Sequence, residues 1–106
     1  VNTDDTVVAV TFTTASALNP SDSSAVGTFL SGISTAIAPF RTSRLSLQST
    51  TSTSTPVVVI SQGYDGEKLT ATAVTELTAQ AAVSTSALRT GTTPSVTGVQ
   101  SSQQLS

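Results

Sequence analysis

"PVVVIS", residues 56–61, decides the fold. Val57, Val58, Val59 and Ile60 are four consecutive β-branched aliphatic residues, a run with strand preference and too short for a stable helix. Successive side chains of a strand point to opposite faces, so a run apolar at every position suits the middle of a sheet better than a rim. Pro56 carries no N–H and is tolerated at a strand's first residue. Directly before it stand seven hydroxyl side chains, Ser49 to Thr55, which read as a solvated loop. Before these, "RLSLQS" (Arg44 to Ser49) alternates strictly and marks a half-exposed strand. Two strands and a polar loop make a hairpin.

Further upstream, "DDTVVAVTFTT" (Asp4 to Thr14) is a second strand apolar on both sides. Val8, Val10 and Phe12 share one face; Val7, Ala9 and Thr11 share the other. Between it and the hairpin lies "LNPSDSSAVGTFLSGISTAIAPF", where Asn19 can cap, Pro20 fits the first turn and Asp22 suits a helix N-terminus. Val26, Phe29 or Leu30, Ile33 and Ile37 recur at helical spacing, and Pro39 ends the helix. Gly27 and Gly32 each weaken it by about 1 kcal/mol relative to alanine, which makes sense if the helix packs closely on a sheet.

Downstream, "GYDGEK" (Gly63 to Lys68) turns into a second helix with Leu69, Ala73, Leu77 and Ala81 in one stripe and Val74 alongside. "STSALRTG" (Ser84 to Gly91) reads as one more short helical turn closed by Gly91. "PSVTGVQ" (Pro94 to Gln100) is a short alternating strand. The order is β-α-β-β-α-β, the split arrangement of a ferredoxin-like α+β domain. The expected fold is a two-layer sandwich: a four-stranded antiparallel sheet with two helices on one face. Its first and third strands are central, and those are the two that are apolar on both faces. Residues 1–100 form the single domain, and 101–106 are expected as a polar tail or linker.

Composition narrows the function. Of 106 residues, 39 are serine or threonine, only 9 % are charged, and the net charge is −2. The surface is therefore solvated by hydroxyls more than by charge, which removes repulsion between copies. The four basic residues, Arg41, Arg44, Lys68 and Arg89, form no stripe that could neutralise phosphates. An RNA-recognition module shares the topology, but its third strand would carry base-stacking rings where this chain has Val57 to Ile60. With neither histidine nor cysteine, zinc, haem and thiol chemistry is set aside, and no cofactor is expected. No serine sits in a Gly-x-Ser-x-Gly elbow. Asp4 and Asp5 read as a solvated strand start, Asp65 and Glu67 as cap and dipole partners of the second helix, and Glu76 as a solvated helix residue. "YDGE" lacks the alternating oxygen ligands of a calcium loop, and Gly63-x-x-Gly66 reads as a plain turn. No catalytic, cofactor or metal residue is assigned.

No run of about 18 apolar residues is present, so no membrane insertion is expected. The absence of methionine points to a processed form or a segment of a longer chain. Asn2 and Asn19 lack workable sequons, so any attached sugar would be O-linked. The candidate acceptors are Ser49, Thr50, Thr51, Ser52, Thr53, Ser54 and Thr55. Two helices cover only one side of a sheet, and the other side keeps apolar residues: Val7 and Ala9, with either Val57 and Val59 or Val58 and Ile60. The expected assembly face comprises Val7, Ala9, Val58 and Ile60. Covering about 300 Å2 of it would be worth on the order of 7 kcal/mol before association costs.

In "VVAVTFTT", the hairpin ending in "PVVVIS" and the closing "LRTGTTPSVTGV", the chain resembles SEA-like extracellular modules and the ferredoxin-like repeats of protist and algal surface proteins. The third strand of those families often begins Gly-Ser-Val-Val-Val, and some members cleave themselves between the glycine and the serine. Here the stretch is Thr55-Pro56-Val57-Val58-Val59, with Pro56 at the serine position, so self-cleavage does not carry over. The resemblance implies extracellular placement, glycosylation and structural or adhesive work, often among tandem modules. The reading is a non-enzymatic extracellular structural module, a subunit or repeat of a self-associating coat or fibril, O-glycosylated on its loops. Its partners would be copies of itself or neighbouring domains of the same chain. The alternative is an adhesion or ligand-binding module of a cell-surface protein.

Overall fold

The computed structural model describes residues 5–64 and 66–105. Strand β1 (Val8–Thr14) is followed by helix α1 (Ser23–Ala36), a 3-10 turn (Thr42–Arg44), and strands β2 (Leu45–Leu47) and β3 (Val57–Ile60). Helix α2 (Thr70–Ala81), the short helix α3 (Ala87–Thr90) and strand β4 (Val96–Gln104) complete the chain. The sheet is antiparallel throughout and ordered β2-β3-β1-β4. The two strands apolar on both faces are central and the alternating ones are edges, so the molecule is an α+β two-layer sandwich of ferredoxin-like type.

Register decides which side chains meet the helices. Val8 lies opposite Ile60, and Val10 opposite Val58, across β1 and β3. Leu45 pairs Ile60 and Leu47 pairs Val58 on the other side. Val10, Phe12, Val58 and Ile60 are wholly buried, against Phe29, Ile33 and Ile37 of the α1 side and Ala73 and Leu77 of α2. Phe12 meets Phe29 edge to face, with centroids 6.2 Å apart, a favoured geometry for two rings in a core.

Helix starts and stops follow local chemistry. Asp22 is the cap of α1, its carboxylate accepting the Ala25 N–H at 3.2 Å, while Asn19 closes the preceding turn by accepting the Ser21 N–H. Ser86 caps α3 through the Arg89 N–H. The Gln80 amide joins the helices, donating to the Ala36 carbonyl and accepting the Leu88 N–H.

Four local expectations are corrected. The inward stripe of α2 begins at Thr70, not Leu69, which precedes the first turn and is exposed. Gly32 faces α3 instead of the sheet: a Cβ there would lie 2.5 Å from the Gly91 carbonyl oxygen, whereas Gly27 opens to free space. Ser101–Gln104 do not trail off as a tail but extend β4 beside Thr11–Val8. Backbone pairing with a central strand overrides the polar composition that had marked them as a linker. And Val58 and Ile60 are on the helix side, so they do not belong to the open face.

Candidate functional site

Two features are built where β1 and β3 meet. One is a buried polar corner. Arg44, at the end of the 3-10 turn, extends its guanidinium under the start of α2. Its Nη2 lies 2.6 Å from the Asp5 carboxylate and 2.9 Å from the Thr70 hydroxyl, its Nη1 donates to the Lys68 carbonyl, and its Nε donates to the Ser61 carbonyl. The Phe40 ring lies 4.0 Å beneath it. Asp5 in turn accepts the backbone N–H groups of Thr6, Gly63 and Thr70, the last being the first residue of α2. Both residues are about 95 % covered, Asp5 at 6 % and Arg44 at 4 % exposure. Gly63 is required by this packing, because a Cβ would lie 2.4 Å from Arg44 Cζ.

A buried charge pair of this kind persists only because each remaining donor and acceptor is satisfied. Burial pushes the Asp5 carboxyl up, but the Thr70, Thr6 and Gly63 amides and the Thr70 hydroxyl outweigh it and hold it below the ordinary carboxylate value. Asp5 is therefore not the solvated strand-start residue expected from its place in the chain. It ties β1 to α2, while Arg44 ties β2 to β3. Asp4 and Asp65 lie outside the described residues. The pair is almost closed to solvent, with Arg44 also bordering a depression lined by Val7, Ser43, Ser61, Gln62 and Tyr64.

The remaining charges among the described residues are also engaged locally. Glu67 accepts the Tyr64 and Arg41 N–H groups and pairs with the Arg41 side chain at 3.8 Å, bracing the turn before α2 instead of capping the helix. Burial pushes its carboxyl up, but those two amides and the Arg41 and Arg44 charges bring it below its ordinary value. Lys68 pairs with Glu76, which is thus more than a solvated helix residue, and Arg89 reaches the Ala81 carbonyl. No three acidic side chains gather as metal ligands among the described residues. No helix of the described residues is long and apolar enough to cross a membrane.

The second feature is the open sheet face. Ala9 stands between Val59 and Gln103, Thr11 between Val57 and Ser101, and Thr13 beside Gly98. Val59 is flanked on its other side by Ser46. Val7 continues the face, its carbonyl accepting the Leu105 N–H at 2.7 Å. Of the four residues expected here, Val7 and Ala9 are present; Val58 and Ile60 are replaced by Val57 and Val59. Ala9 is nearly covered by its neighbours, while Val7, Thr11, Thr13, Val57 and Val59 are half-buried. No described residue of this face is charged. Nothing in the residue pattern of Val57–Ile60 could have separated the two alternatives, since both alternations are aliphatic.

The hydroxyl run lies at the far end of β3 and is held more firmly than an open loop. Thr53 bridges Leu18, Ser54 accepts the Thr14 N–H, and Ser49 Oγ accepts the Val57 N–H. Thr53 Oγ1 accepts the Thr55 N–H. Thr50, Thr51, Ser52 and Ser54 are exposed, with no hydrogen-bond partner for their hydroxyls among the described residues. A shallow groove of about 750 Å3 between α1 and α3 is lined by Ser23, Gly27, Thr28, Ser31, Thr35 and Thr90, with no charged or aromatic side chain.

No protein-family model, characterised protein or solved structure matches the chain. The functional reading therefore rests on the residues themselves.

Proposed function

We propose that the chain is a non-enzymatic structural module of an extracellular surface coat or fibril, acting as a self-associating subunit or repeat with O-linked sugar on its Ser49–Thr55 loop. The observation that carries this reading is the open, uncharged face built by Val7, Ala9, Thr11, Val57 and Val59. A face of valine and alanine among neutral polar side chains, with no described charge on it, can be covered by another protein surface without burying a charge. Among the described residues the charged side chains are engaged in local structure. The exposed hydroxyls of Thr50, Thr51, Ser52 and Ser54 are sterically ready acceptors for sugar, and the likeness to SEA-like surface modules points to the same compartment.

Electron microscopy and intact-mass measurement on native material test the reading. Ordered assemblies, together with a mass above that of the polypeptide in steps of a sugar residue, support it. A strictly monomeric species with the bare polypeptide mass overturns it.

One observation favours the adhesion alternative. A depression of about 380 Å3 is lined by Val7, Ser43, Arg44, Ser61, Gln62 and the half-exposed Tyr64. However, Arg41 lies 5.2 Å from the Tyr64 ring centroid and so covers part of the ring that a sugar would stack on. A glycan array without a binder disposes of this alternative for carbohydrate.

A further inference from the structure

The last part of β4 is fastened differently from the rest of the sheet, and we propose that Ser101–Leu105 is a strap. It opens from β1 as a unit while the domain stays folded, and in opening it uncovers the Val8–Thr11 edge of a central strand.

Side-chain burial separates the strap from the strand it continues. Val96, at the start of β4, is in the core, and Val99 packs against that core. From Gln100 to Leu105 every side chain is exposed. The strap therefore takes little apolar surface of its own out of water, and backbone hydrogen bonds are its main hold. Strand β4 is also an edge, so those bonds run to one side only. Segments with few buried apolar contacts and solvent-exposed hydrogen bonds open at a lower free energy than the whole domain.

A bulge marks where the strap begins. Phe12 faces Val99 and Thr11 faces Ser101, which leaves Gln100 as an extra residue in β4. Such a residue interrupts the ladder, so the pairing of Ser101–Gln104 with Thr11–Val8 is set apart from that of Val96–Val99.

Strand β1 is anchored against following the strap. Its other side pairs with β3 from Val8–Ile60 to Thr11–Val57. Just before it, Asp5 is tied to Arg44, Gly63 and Thr70. Once the strap leaves, the β1 groups that faced it become an open sheet edge, a template for another extended chain.

Hydrogen-bond direction makes the opening measurable. Phe12 and Thr14 donate their N–H groups toward β3, to the Pro56 and Ser54 carbonyls, while the Val7 carbonyl accepts the Leu105 N–H. Direction alternates along an antiparallel strand, so the Val8 and Val10 amides point to β3 and the Ala9 amide points to the strap.

Amide hydrogen exchange of the full chain, followed by NMR through low urea concentrations, tests the inference. Ala9, Gln103 and Leu105 should exchange at least about hundredfold faster than Val8 and Val10, at rates that urea leaves unchanged because little surface is exposed. Gln103→Pro removes the N–H that faces Ala9. It should strip the Ala9 amide of protection while moving the thermal unfolding midpoint by less than about 4 °C. Ala9 and Val10 exchanging at matching rates would show one cooperative sheet and overturn the strap. So would a Gln103→Pro midpoint that falls as far as that of Phe12→Ala.

Discussion

Val58 and Val59 are neighbours of identical chemistry in one strand, yet they live in different surroundings. Val58 is sealed between the sheet and the two main helices; Val59 lies between Ala9 and Ser46 on the side the helices leave open. The same split runs along β1, where Val8, Val10 and Phe12 face inward and Val7, Ala9 and Thr11 face out. The covered face holds the fold together by burial. The open face contributes little to holding it and is left for contact. A one-residue slip of β3 would exchange the two roles completely. What resists the slip is polar: Asp5 and Arg44 lock the strand ends near Ile60, and the Thr53–Leu18 bridge with the Ser49–Val57 hydrogen bond locks the other end.

Arg44→Ala attacks that lock directly. It leaves the Asp5 carboxylate buried without its cation and should cost about 3–5 kcal/mol, measured by denaturant unfolding. Phe12→Ala, on the covered face, should cost a similar 3–5 kcal/mol, because it empties the ring's place against Phe29. Val58→Thr keeps the shape but buries a hydroxyl, for about 1–3 kcal/mol. If Val58→Thr and Val59→Thr proved equally costly, the distinction between the faces would fail.

Acid should loosen the polar corner. The Asp5 carboxyl titrates lower in the fold than in the unfolded chain, so the stability it adds is full above the ordinary carboxylate value. That stability is lost as pH falls through the folded value. Asp5→Asn should flatten the acid limb of a stability-against-pH curve, apart from the share contributed by Glu67, which shifts in the same direction. The smallest effect belongs to Val59→Thr, which should change monomer stability by no more than about 0.5 kcal/mol.

Much of this architecture was legible before any coordinates. The apolar run at Val57–Ile60, the matching one at Val7–Phe12 and the strict alternation of "RLSLQS" ordered the strands correctly, and the Phe29–Ile33–Ile37 spacing named the inward side of α1. Asp5 was misread because an aspartate ahead of a strand is usually solvated. The one available cue was weak: in a chain with few charges, Asp5 and Arg44 each stand just before a strand. Ser101–Gln104 were misread because polar composition says nothing about a backbone neighbour that needs hydrogen bonds.

Local chemistry settled what each segment would become, since β-branched runs, helical spacing and capping residues act within a few positions of themselves. Pairing across distant segments settled the rest: which valines of β3 are hidden, which carboxylate is buried and where β4 ends. Those outcomes depend on hydrogen-bond register and on the meeting of residues dozens of positions apart. A pattern apolar on both sides carries no information about either.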